Sequence, residues 1–302
     1  MSDLKIYHSS GFFSCSTVRL RSIIYYYIQT GKFPVVDSSS QWIDYKDNNE
    51  DVTNYFFKTT EIEKEINFSE FSQSGGDQFN DYSKINYQDV NLFVEKYFSP
   101  SDEVLNTKND IINSYNIDVN KTISVCYRGN DKVNETKVPS YDEMLLKIID
   151  IKSKYPTYRL LIQSDEIEFC DFILDKFPDC LIIKETKKIN KTTTNLVGNV
   201  QRSTPVGERV RTAQIFLAVM YLMAETSHVI MNSGNVGLWI CLFRGNSNNI
   251  SQYLDKDSYT LYNIYDFRCS FNGENIFLDY TYSYFPKNNI IEISKPNLDN
   301  WF

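Results

Sequence analysis

A short apolar strand that runs directly into a charged turn is the feature that most constrains this chain. Ile123 to Tyr127 is an apolar run with β-branched side chains, which is typical of a buried strand. The residues that follow, Arg128 to Lys132, combine a guanidinium, a turn glycine, an amide, a carboxylate and an ammonium. Ligands of open α/β sheets bind beyond the carboxyl ends of the strands, and the fork of an arginine fits phosphate oxygens. The segment alone is equally compatible with a phosphate-binding turn and with a solvated polar turn.

Predicted strands and helices alternate on both sides of this segment. A strand, a helix and a second strand follow one another between Leu4 and Val36, and Gly31 ends the helix. Such a βαβ unit implies parallel strands and an α/β sheet. The second half repeats the alternation, with predicted strands at residues 123–127, 159–163, 180–183 and 228–231 and the most apolar helix at residues 209–225. The pattern predicts an α/β fold with two Rossmann-like units and a boundary near Asp118.

The composition narrows the classes of function. The chain has 302 residues, which suits two domains of about 150 residues each. Its net charge is −8 and it has no dense block of Lys and Arg, which argues against a nucleic-acid partner. We expect a cytoplasmic protein without a membrane span, because the N-terminus carries no secretory signal and no apolar run is long enough. The six cysteines are scattered without a CxxC pair, which predicts reduced thiols and no metal site.

Polar residues at the ends of the first predicted strands are candidate ligand contacts. His8 ends the first strand, and Gly11 precedes a helix N-terminus, where anions bind. A lone histidine is more often structural than catalytic. In the second half, Ser164 and Asp165 follow the strand at residues 159–163. Ser164 and Asp165, together with Arg128 and Ser233, are expected to lie over the carboxyl edge of the second sheet.

A small turn after the strand at residues 228–231 is the second candidate. Asn232, Ser233, Gly234 and Asn235 lead from that strand into an apolar helix. A strand, a small turn and a helix N-terminus form a backbone cradle for a phosphate or ribose oxygen. The order Gly-x-Gly-x-x-Gly is absent, and so is a phosphate loop that ends in Gly-Lys-Ser/Thr. We therefore expect neither an NAD enzyme nor a P-loop ATPase.

Three segments, taken in order, resemble the motifs of the α-1,2-, α-1,6- and protein O-fucosyltransferases. Tyr127 to Lys132 resembles the arginine-containing first motif, and Leu161 to Asp165 resembles the second, a strand that ends in acidic residues. Val229 to Trp239 resembles the third, a strand followed by a Ser-rich turn and a helix. The loop around Gly11 is similar to the glycine-bearing loop that opens these enzymes. The order of the motifs is more specific than any one of them.

The resemblance implies a GT-B glycosyltransferase with two Rossmann-like domains facing across a cleft. It implies an inverting, metal-independent transfer of fucose from GDP-fucose to a glycan hydroxyl, with the GDP-sugar as co-substrate and no further cofactor. We expect an N-terminal acceptor-side domain at residues 1–118 and a nucleotide-sugar-binding domain at residues 119–275. The C-terminal segment, residues 276–302, is expected to pack back on the N-terminal domain.

The resemblance also implies roles for individual residues. Arg128 falls on the family's arginine that holds the donor pyrophosphate, and Asp131 and Lys132 match the acidic and basic positions after it. Asp165 matches the second-motif acid near the nucleoside. Ser233 to Asn235 match the phosphate turn of the third motif.

Two positions depart from the family pattern. Cys126 and Gly129 stand where the family usually has a histidine and a second arginine. Glu135 lies one residue from the position where the α-1,6 enzymes place a candidate base. The lost arginine leaves open a donor other than GDP-fucose, such as a UDP-sugar. A non-catalytic nucleotide- or carbohydrate-binding protein is a further alternative.

The chemistry of such a transfer selects further candidates. Cleavage of a sugar–diphosphate bond leaves negative charge on the leaving oxygen, which Arg128 together with Arg209 or Arg211 could stabilise. Cations are unfavourable in the first turn of a helix, so the two arginines at residues 209 and 211 indicate an anion nearby. The acceptor hydroxyl must lose its proton to a base within hydrogen-bond reach. The candidates for this base, in falling order, are Glu135, Asp131 and His8.

Overall fold

The computed structural model describes a mixed α/β chain built around two sheets. It covers residues 2–62, 77–130, 132–191, 201, 203–255, 269–271, 274–276 and 301. The α-helices are α1 (Phe12–Thr30), α2 (Thr53–Phe56), α3 (Tyr87–Tyr97), α4 (Asp102–Tyr115), α5 (Tyr141–Lys154), α6 (Ile167–Lys176), α7 (Arg209–Glu225) and α8 (Asn235–Arg244). Short 3-10 helices lie at Ile43–Tyr45, Asp77–Phe79, Tyr82–Lys84, Val119–Lys121 and Lys132–Asn134. Over these ranges, every helix is too short or too polar to cross a membrane.

Local signals in the sequence determine where the helices begin and end. α1 ends at Gly31, which adopts the left-handed conformation with φ of 67°, a conformation that glycine reaches without steric cost. Ser101 caps α4 by accepting a hydrogen bond from the Val104 N–H. Ser140 and Glu143 form the predicted capping box at the start of α5. These bonds satisfy backbone groups that a helix end leaves without partners.

Five parallel strands form the sheet of the second half, in the order β7-β6-β5-β8-β9. The strands are β5 (Thr122–Tyr127), β6 (Arg159–Ser164), β7 (Leu181–Ile182), β8 (His228–Asn232) and β9 (Ile250–Tyr253). All residues of the central strand β5 are buried, which explains its apolar sequence. Tyr127 pairs with Ser164, and Cys126 pairs with Met231. The residues that follow β5, β6 and β8 therefore emerge together at one edge of the sheet.

A smaller sheet, in the order β11-β10-β1-β2, contains the N-terminal strand. Its strands are β1 (Leu4–Ile6), β2 (Val36–Asp37), β10 (Cys269–Phe271) and β11 (Glu274–Ile276), while β3 (Phe57–Lys58) and β4 (Ser99–Pro100) form a separate pair. β1 and β2 are parallel and α1 connects them, which confirms the predicted βαβ unit. β10 pairs antiparallel with β1. Residues 269–271 therefore join the sheet of the N-terminal strand, although they lie within the range 119–275 that is predicted to form the C-terminal domain. The reason is that β1 offers a sheet edge to which a strand distant in sequence can hydrogen-bond.

Two residues of the segment 276–302, which was expected on the N-terminal domain, fall within the described part of the chain. Ile276 ends β11 in the sheet of β1. Trp301 forms a bridge with Tyr253 of β9, and their rings lie 5.5 Å apart between centroids. The ammonium of Lys147 on α5 lies 5.4 Å from the Trp301 ring. This residue therefore packs against the second sheet and its neighbouring helix.

One large hydrophobic cluster joins the two halves of the chain. Phe13 of α1 stacks on Trp239 of α8 with 5.9 Å between ring centroids, and both side chains are buried. α4 packs against α7, and residues of α7, α8 and β8 belong to the same cluster. A second cluster, which includes Ile123 and Phe169, covers the other face of the sheet beside α5 and α6. The helices α7 and α8 thus hold the N-terminal half against the second sheet, and the predicted cleft between two Rossmann-like domains stays a prediction.

Candidate functional site

Arg128 lies at the carboxyl end of the central strand, where a carboxylate of the neighbouring strand holds it. Its Nε donates a hydrogen bond to Asp165 Oδ2 at 3.0 Å. The other carboxylate oxygen of Asp165 accepts the Gly129 N–H at 3.1 Å, and the Asp165 carbonyl accepts the Asn130 side-chain amide at 3.1 Å. The side chains of Arg128 and Asp165 are only 16% and 10% exposed. Asp165 therefore orients the whole turn, and with it the guanidinium.

Asn232, at the end of β8, holds the same turn from the other side. Its Oδ1 accepts the Arg128 N–H at 2.8 Å, and its Nδ2 donates to the Arg128 carbonyl at 2.8 Å. Asn232 was predicted to contact the donor directly. In the structure both ends of its amide bind the backbone of Arg128, so its observed role is to position that residue.

Ser164, the last residue of β6, supports the turn that carries Asp165. Its hydroxyl accepts the Glu166 N–H at 3.0 Å, and its side chain is buried. A serine that bonds the backbone two residues ahead stabilises a tight turn. The contacts of Ser164 are thus those of a turn residue, and its predicted contact with the donor stays a prediction.

Glu166 is a residue of this site that the sequence analysis missed. Its side chain is fully buried, one carboxylate oxygen accepts the Tyr141 hydroxyl, and the other, Oε1, has no hydrogen-bond partner within the described part of the chain. Burial raises the pKa of Glu166, and the nearby charges of Asp165 and Glu168 act in the same direction. The Tyr141 hydrogen bond and the charge of Lys191 oppose the rise. In the sequence, Glu166 is only one more acidic residue after Asp165, so nothing distinguished it.

The buried Glu166 and the ring of Tyr127 explain why a glycine occupies position 129. A Cβ atom at Gly129 would lie 2.2 Å from Glu166 Oε1, 2.5 Å from its Cδ and 2.7 Å from Tyr127 Cε1. Such distances are far shorter than van der Waals contact, so a side chain at position 129 requires both Glu166 and Tyr127 to move. The second arginine of the family motif cannot be accommodated here with Glu166 in this place.

Lys132 and Glu135 form an ion pair that lies beside the turn after β8. Lys132 Nζ is 2.6 Å from Glu135 Oε2, and the Lys132 side chain is 8% exposed. A Cβ atom at Gly234 would lie 3.3 Å from Lys132 Cε, and Gly234 has φ of 152°, which side-chain-bearing residues rarely adopt. A glycine at position 234 therefore satisfies both the backbone conformation and the close approach of the lysine.

The backbone N–H groups of the turn after β8 already have acceptors within the protein. The Ser233 N–H and hydroxyl both donate to the Tyr253 carbonyl, at 2.9 and 2.8 Å. The Gly234 N–H donates to the Tyr82 hydroxyl at 3.0 Å, and the Asn235 N–H donates to Gln78 Oε1 at 3.1 Å. The turn has the shape of a backbone cradle, but its donors are occupied. Gln78 and Tyr82 come from a stretch without hydrophobic periodicity, which gave no signal for this contact.

Arg209 and Arg211 begin α7, and the anion expected near them is a side chain of the protein. Asp47 Oδ1 accepts the backbone N–H groups of Gly207 and Arg209, at 2.7 and 3.2 Å. The Arg209 Nε donates to the Thr204 carbonyl at 3.2 Å, and Arg211 donates to the Thr107 hydroxyl of α4 at 2.6 Å. The carboxylate thus lies where the helix dipole favours negative charge. A contact of either guanidinium with the donor stays a prediction.

His8 and Gly11 lie on the N-terminal side. His8 Nε2 is 2.9 Å from the Ser14 hydroxyl, and Gly11 is the exposed residue that precedes α1. The Phe12 N–H donates to the Tyr45 hydroxyl at 3.0 Å. Burial raises the pKa of Tyr45, and the positive charge of Arg128 acts in the opposite direction. Tyr45 therefore satisfies the first backbone N–H of α1. Asp131 lies outside the described residues.

Comparison with solved structures finds a fucosyltransferase of similar fold. The crystal structure of the fucosyltransferase NodZ from Bradyrhizobium aligns over 85% of this chain and 96% of its own, with 13% sequence identity and a TM-score of 0.50. At this identity the likeness concerns the fold. It confirms the resemblance to the fucosyltransferases at that level, for a mixed α/β chain with a parallel sheet.

Two further alignments are weaker. NodZ α-1,6-fucosyltransferase co-crystallised with GDP aligns over 56% of this chain and 49% of its own, with 12% identity and a TM-score of 0.36. A variant of Arabidopsis thaliana FUT1 in complex with GDP aligns over 56% of this chain and 36% of its own, with 11% identity and a TM-score of 0.33. The alignment thus spans about half the length of the first of these proteins and about a third of the second. No family model and no curated protein matches the sequence.

Proposed function

We propose that this protein is a glycosyltransferase that moves fucose from GDP-fucose to a hydroxyl group of a glycan. The observation that carries the proposal is the arginine at the carboxyl end of the central strand. Asp165 and Asn232 hold Arg128 there, in a chain whose fold is similar to that of a fucosyltransferase. A charge in a fixed place stabilises a developing negative charge without reorganisation during the reaction.

In the proposed reaction the acceptor hydroxyl attacks the anomeric carbon directly and inverts its configuration. The bond from that carbon to the diphosphate breaks, and its electron pair stays on the diphosphate oxygen. Arg128 and Lys132 are the cations proposed to stabilise this oxygen. Lys132 supports the assignment because it is buried and lies next to Gly234, at the turn that follows the neighbouring strand.

The acceptor proton needs a base within hydrogen-bond reach. We propose Glu135, whose carboxylate is 22% exposed and contacts Lys132, so that it lies next to the proposed diphosphate contact. His8 lies two residues after β1 of the other sheet and contacts Ser14. A His8→Ala variant that loses activity while Glu135→Gln retains it would reverse this assignment.

We also propose a GT-B arrangement, in which residues 1–118 contribute the acceptor side and the second sheet carries the nucleotide sugar. The separation of β1 and β5 into two different sheets supports it. A crystal structure with GDP bound tests the arrangement directly. GDP bound away from both Arg128 and Gly234 would contradict it. A cytoplasmic location belongs to the same proposal.

Calorimetric titration with GDP and UDP, followed by transfer assays with GDP-fucose and a panel of glycans, tests the function. We expect GDP to bind the wild type and to lose its affinity for Arg128→Ala. Arg159→Ala is the matched control, because Arg159 begins β6 at the opposite edge of the sheet and contacts backbone carbonyls of residues 115 and 116. GDP binding without donor hydrolysis or transfer would indicate a binding protein. Absence of binding to any nucleotide would overturn the proposal.

One observation favours a second candidate, the same reaction with another nucleoside-diphosphate sugar. Gly129 replaces the second arginine of the fucosyltransferase motif, and Glu166 fills the space beside it. A donor site with one arginine fewer need not select GDP-fucose. Binding of UDP in preference to GDP in the same titration selects this candidate.

A further inference from the structure

The side-chain amide of Gln78 contacts the donors that the proposed function requires for a phosphate. Its Oε1 accepts the Asn235 N–H at 3.1 Å and a proton of Lys132 Nζ at 3.3 Å. Its Nε2 donates to Glu135 Oε2 at 3.4 Å. A backbone N–H at the start of an α-helix and a buried ammonium thus converge on one neutral oxygen. The same two donors would bind an anionic oxygen more strongly than the neutral amide oxygen of Gln78, since a hydrogen bond is stronger when its acceptor carries a negative charge.

Gln78 differs from its neighbour Tyr82 in how firmly it is held. Tyr82 is 1% exposed, its N–H donates to Gln252 Oε1, and its hydroxyl donates to the Gly234 carbonyl. It is part of the core around the turn. Gln78 is only half-buried, and its side chain is held by the amide contacts described above. Rotation of its side chain would release the Asn235 N–H and Lys132 while Tyr82 keeps its place.

The ion pair of Lys132 and Glu135 contributes to the same donor-free arrangement. In the donor-free state Glu135 balances the charge of Lys132 at 2.6 Å, and the Gln78 amide bridges the two residues. A diphosphate that approaches Lys132 offers a full negative charge in place of the amide oxygen. The exchange replaces the neutral acceptor of the Asn235 N–H and Lys132 by an anionic one, which forms the stronger hydrogen bonds.

We infer that Gln78 is an internal competitor of the donor diphosphate. Its amide oxygen occupies a phosphate-oxygen position at the Asn235 N–H and Lys132, and the donor binds with full affinity only when the side chain has turned away. The inference rests on the proposed function. An open form populated at roughly 0.1–10% is typical of such two-state elements. The apparent Kd equals the intrinsic Kd divided by the open fraction, so the competition weakens donor binding by about 10–1,000-fold.

Calorimetric titration of the full chain with GDP and with inorganic pyrophosphate tests the inference. Gln78→Ala removes the competing oxygen and leaves Lys132, Glu135 and Tyr82 in place. We expect both ligands to bind Gln78→Ala at least about 10-fold more tightly than the wild type. Gln88→Ala, on the exposed surface of α3, is the matched control and should bind as the wild type does. Thermal unfolding of the three proteins shows whether the fold is intact.

The outcomes separate this inference from the proposed function. Equal GDP affinity for the wild type and Gln78→Ala would overturn the competition and leave the proposed function standing. Weaker binding to Gln78→Ala would make Gln78 a contact of the donor, which also overturns it. Failure of GDP and pyrophosphate to bind either protein would overturn the proposed function together with the inference.

Discussion

Two turns at the same edge of the second sheet, both predicted to bind a diphosphate, are built in different ways. The turn after β5 presents the side chain of Arg128, whose Nε donates a hydrogen bond to the carboxylate of Asp165. The turn after β8 presents backbone N–H groups, and those of Gly234 and Asn235 donate to Tyr82 and Gln78. A motif therefore identifies groups that can bind a ligand, while their partners elsewhere in the chain decide whether those groups are available.

The two turns also differ in the kind of support they need. One well-placed carboxylate is enough to orient a guanidinium, because the planar guanidinium presents its N–H donors in a fixed geometry. A backbone turn needs a glycine that tolerates an unusual φ and acceptors that satisfy its N–H groups when no ligand is bound. The following predictions test this contrast, beginning with the largest expected effect.

Removal of the guanidinium has the largest expected effect. Arg128→Ala should lower fucose transfer by about 100-fold or more, as deletion of one charge-stabilising donor does in other enzymes. Transfer rates and circular dichroism, with Arg159→Ala as the control, measure this. Near-normal turnover of Arg128→Ala would exclude the turn after β5 from the mechanism.

Loss of the carboxylate that holds the arginine should have a smaller effect. Asp165→Asn keeps an acceptor for the Gly129 N–H but weakens the bond to the Arg128 Nε. A hydrogen bond between charged groups contributes about 1.5–3 kcal/mol, and asparagine weakens this bond without removing it, so transfer should fall by about 10-fold, the lower end of that range. The exposed Asp150→Asn on α5 is the control. An Asp165→Asn enzyme with unchanged kcat and KM would show that Arg128 needs no such support.

The contact between Gly129 and Glu166 should appear as a coupling in stability. Gly129→Ala introduces a Cβ within 2.5 Å of the Glu166 carboxylate carbon, and overpacking of this kind costs about 1–3 kcal/mol in the free energy of unfolding. In a Glu166→Ala background the same change should cost less, because only the 2.7 Å approach of the new Cβ to Tyr127 Cε1 remains. Chemical denaturation of the four proteins gives the coupling energy. Additive effects would show that position 129 does not depend on Glu166.

The buried carboxyl should also make stability depend on pH. The folded pKa of Glu166 is raised by burial, so the native state binds this proton more tightly than the unfolded chain. The contribution of Glu166 to the free energy of unfolding therefore falls as the pH rises from its unfolded pKa of about 4.3 through the folded pKa, and stays low above it. Glu166→Gln should lack this dependence and gain stability relative to the wild type over that window. Parallel pH profiles of the two proteins would contradict the burial effect.

The smallest expected effect is that of a chelator. If Arg128 and Lys132 supply the charge that the leaving diphosphate needs, fucose transfer should continue unchanged in excess EDTA. The rate before and after addition of EDTA measures this, with a Mn²⁺-dependent glycosyltransferase as the positive control. Strict dependence of transfer on Mn²⁺ would show that the two turns do not stabilise the leaving group by themselves.

Features governed by short-range patterns were predictable. The βαβ unit, the capping box at Ser140 and the position of Arg128 after β5 follow from hydrophobic periodicity, capping residues and strand length. The convergence of several turns on one sheet edge also followed, because parallel strands end on the same side. For these features the neighbours in sequence contain most of the physical information.

Contacts between distant segments were not predictable. Gln78 and Tyr82 lie in a stretch without periodicity, yet they bond the turn at residues 233–235. Asp47 caps α7, which begins at Arg209. Each contact depends on how the N-terminal half packs against α7 and α8. No local pattern encodes a hydrogen bond between residues more than a hundred positions apart.

The sequence by itself determined an α/β chain with an arginine and a glycine-bearing turn at the ends of parallel strands, because strand burial and turn chemistry are local properties. Only the tertiary structure decided that Asp165 and Asn232 hold the arginine, that Glu166 requires a glycine at position 129, and that Gln78 covers the helix N-terminus. The physical reason is that availability of a polar group depends on the partners that packing brings to it, and packing is a property of the whole chain.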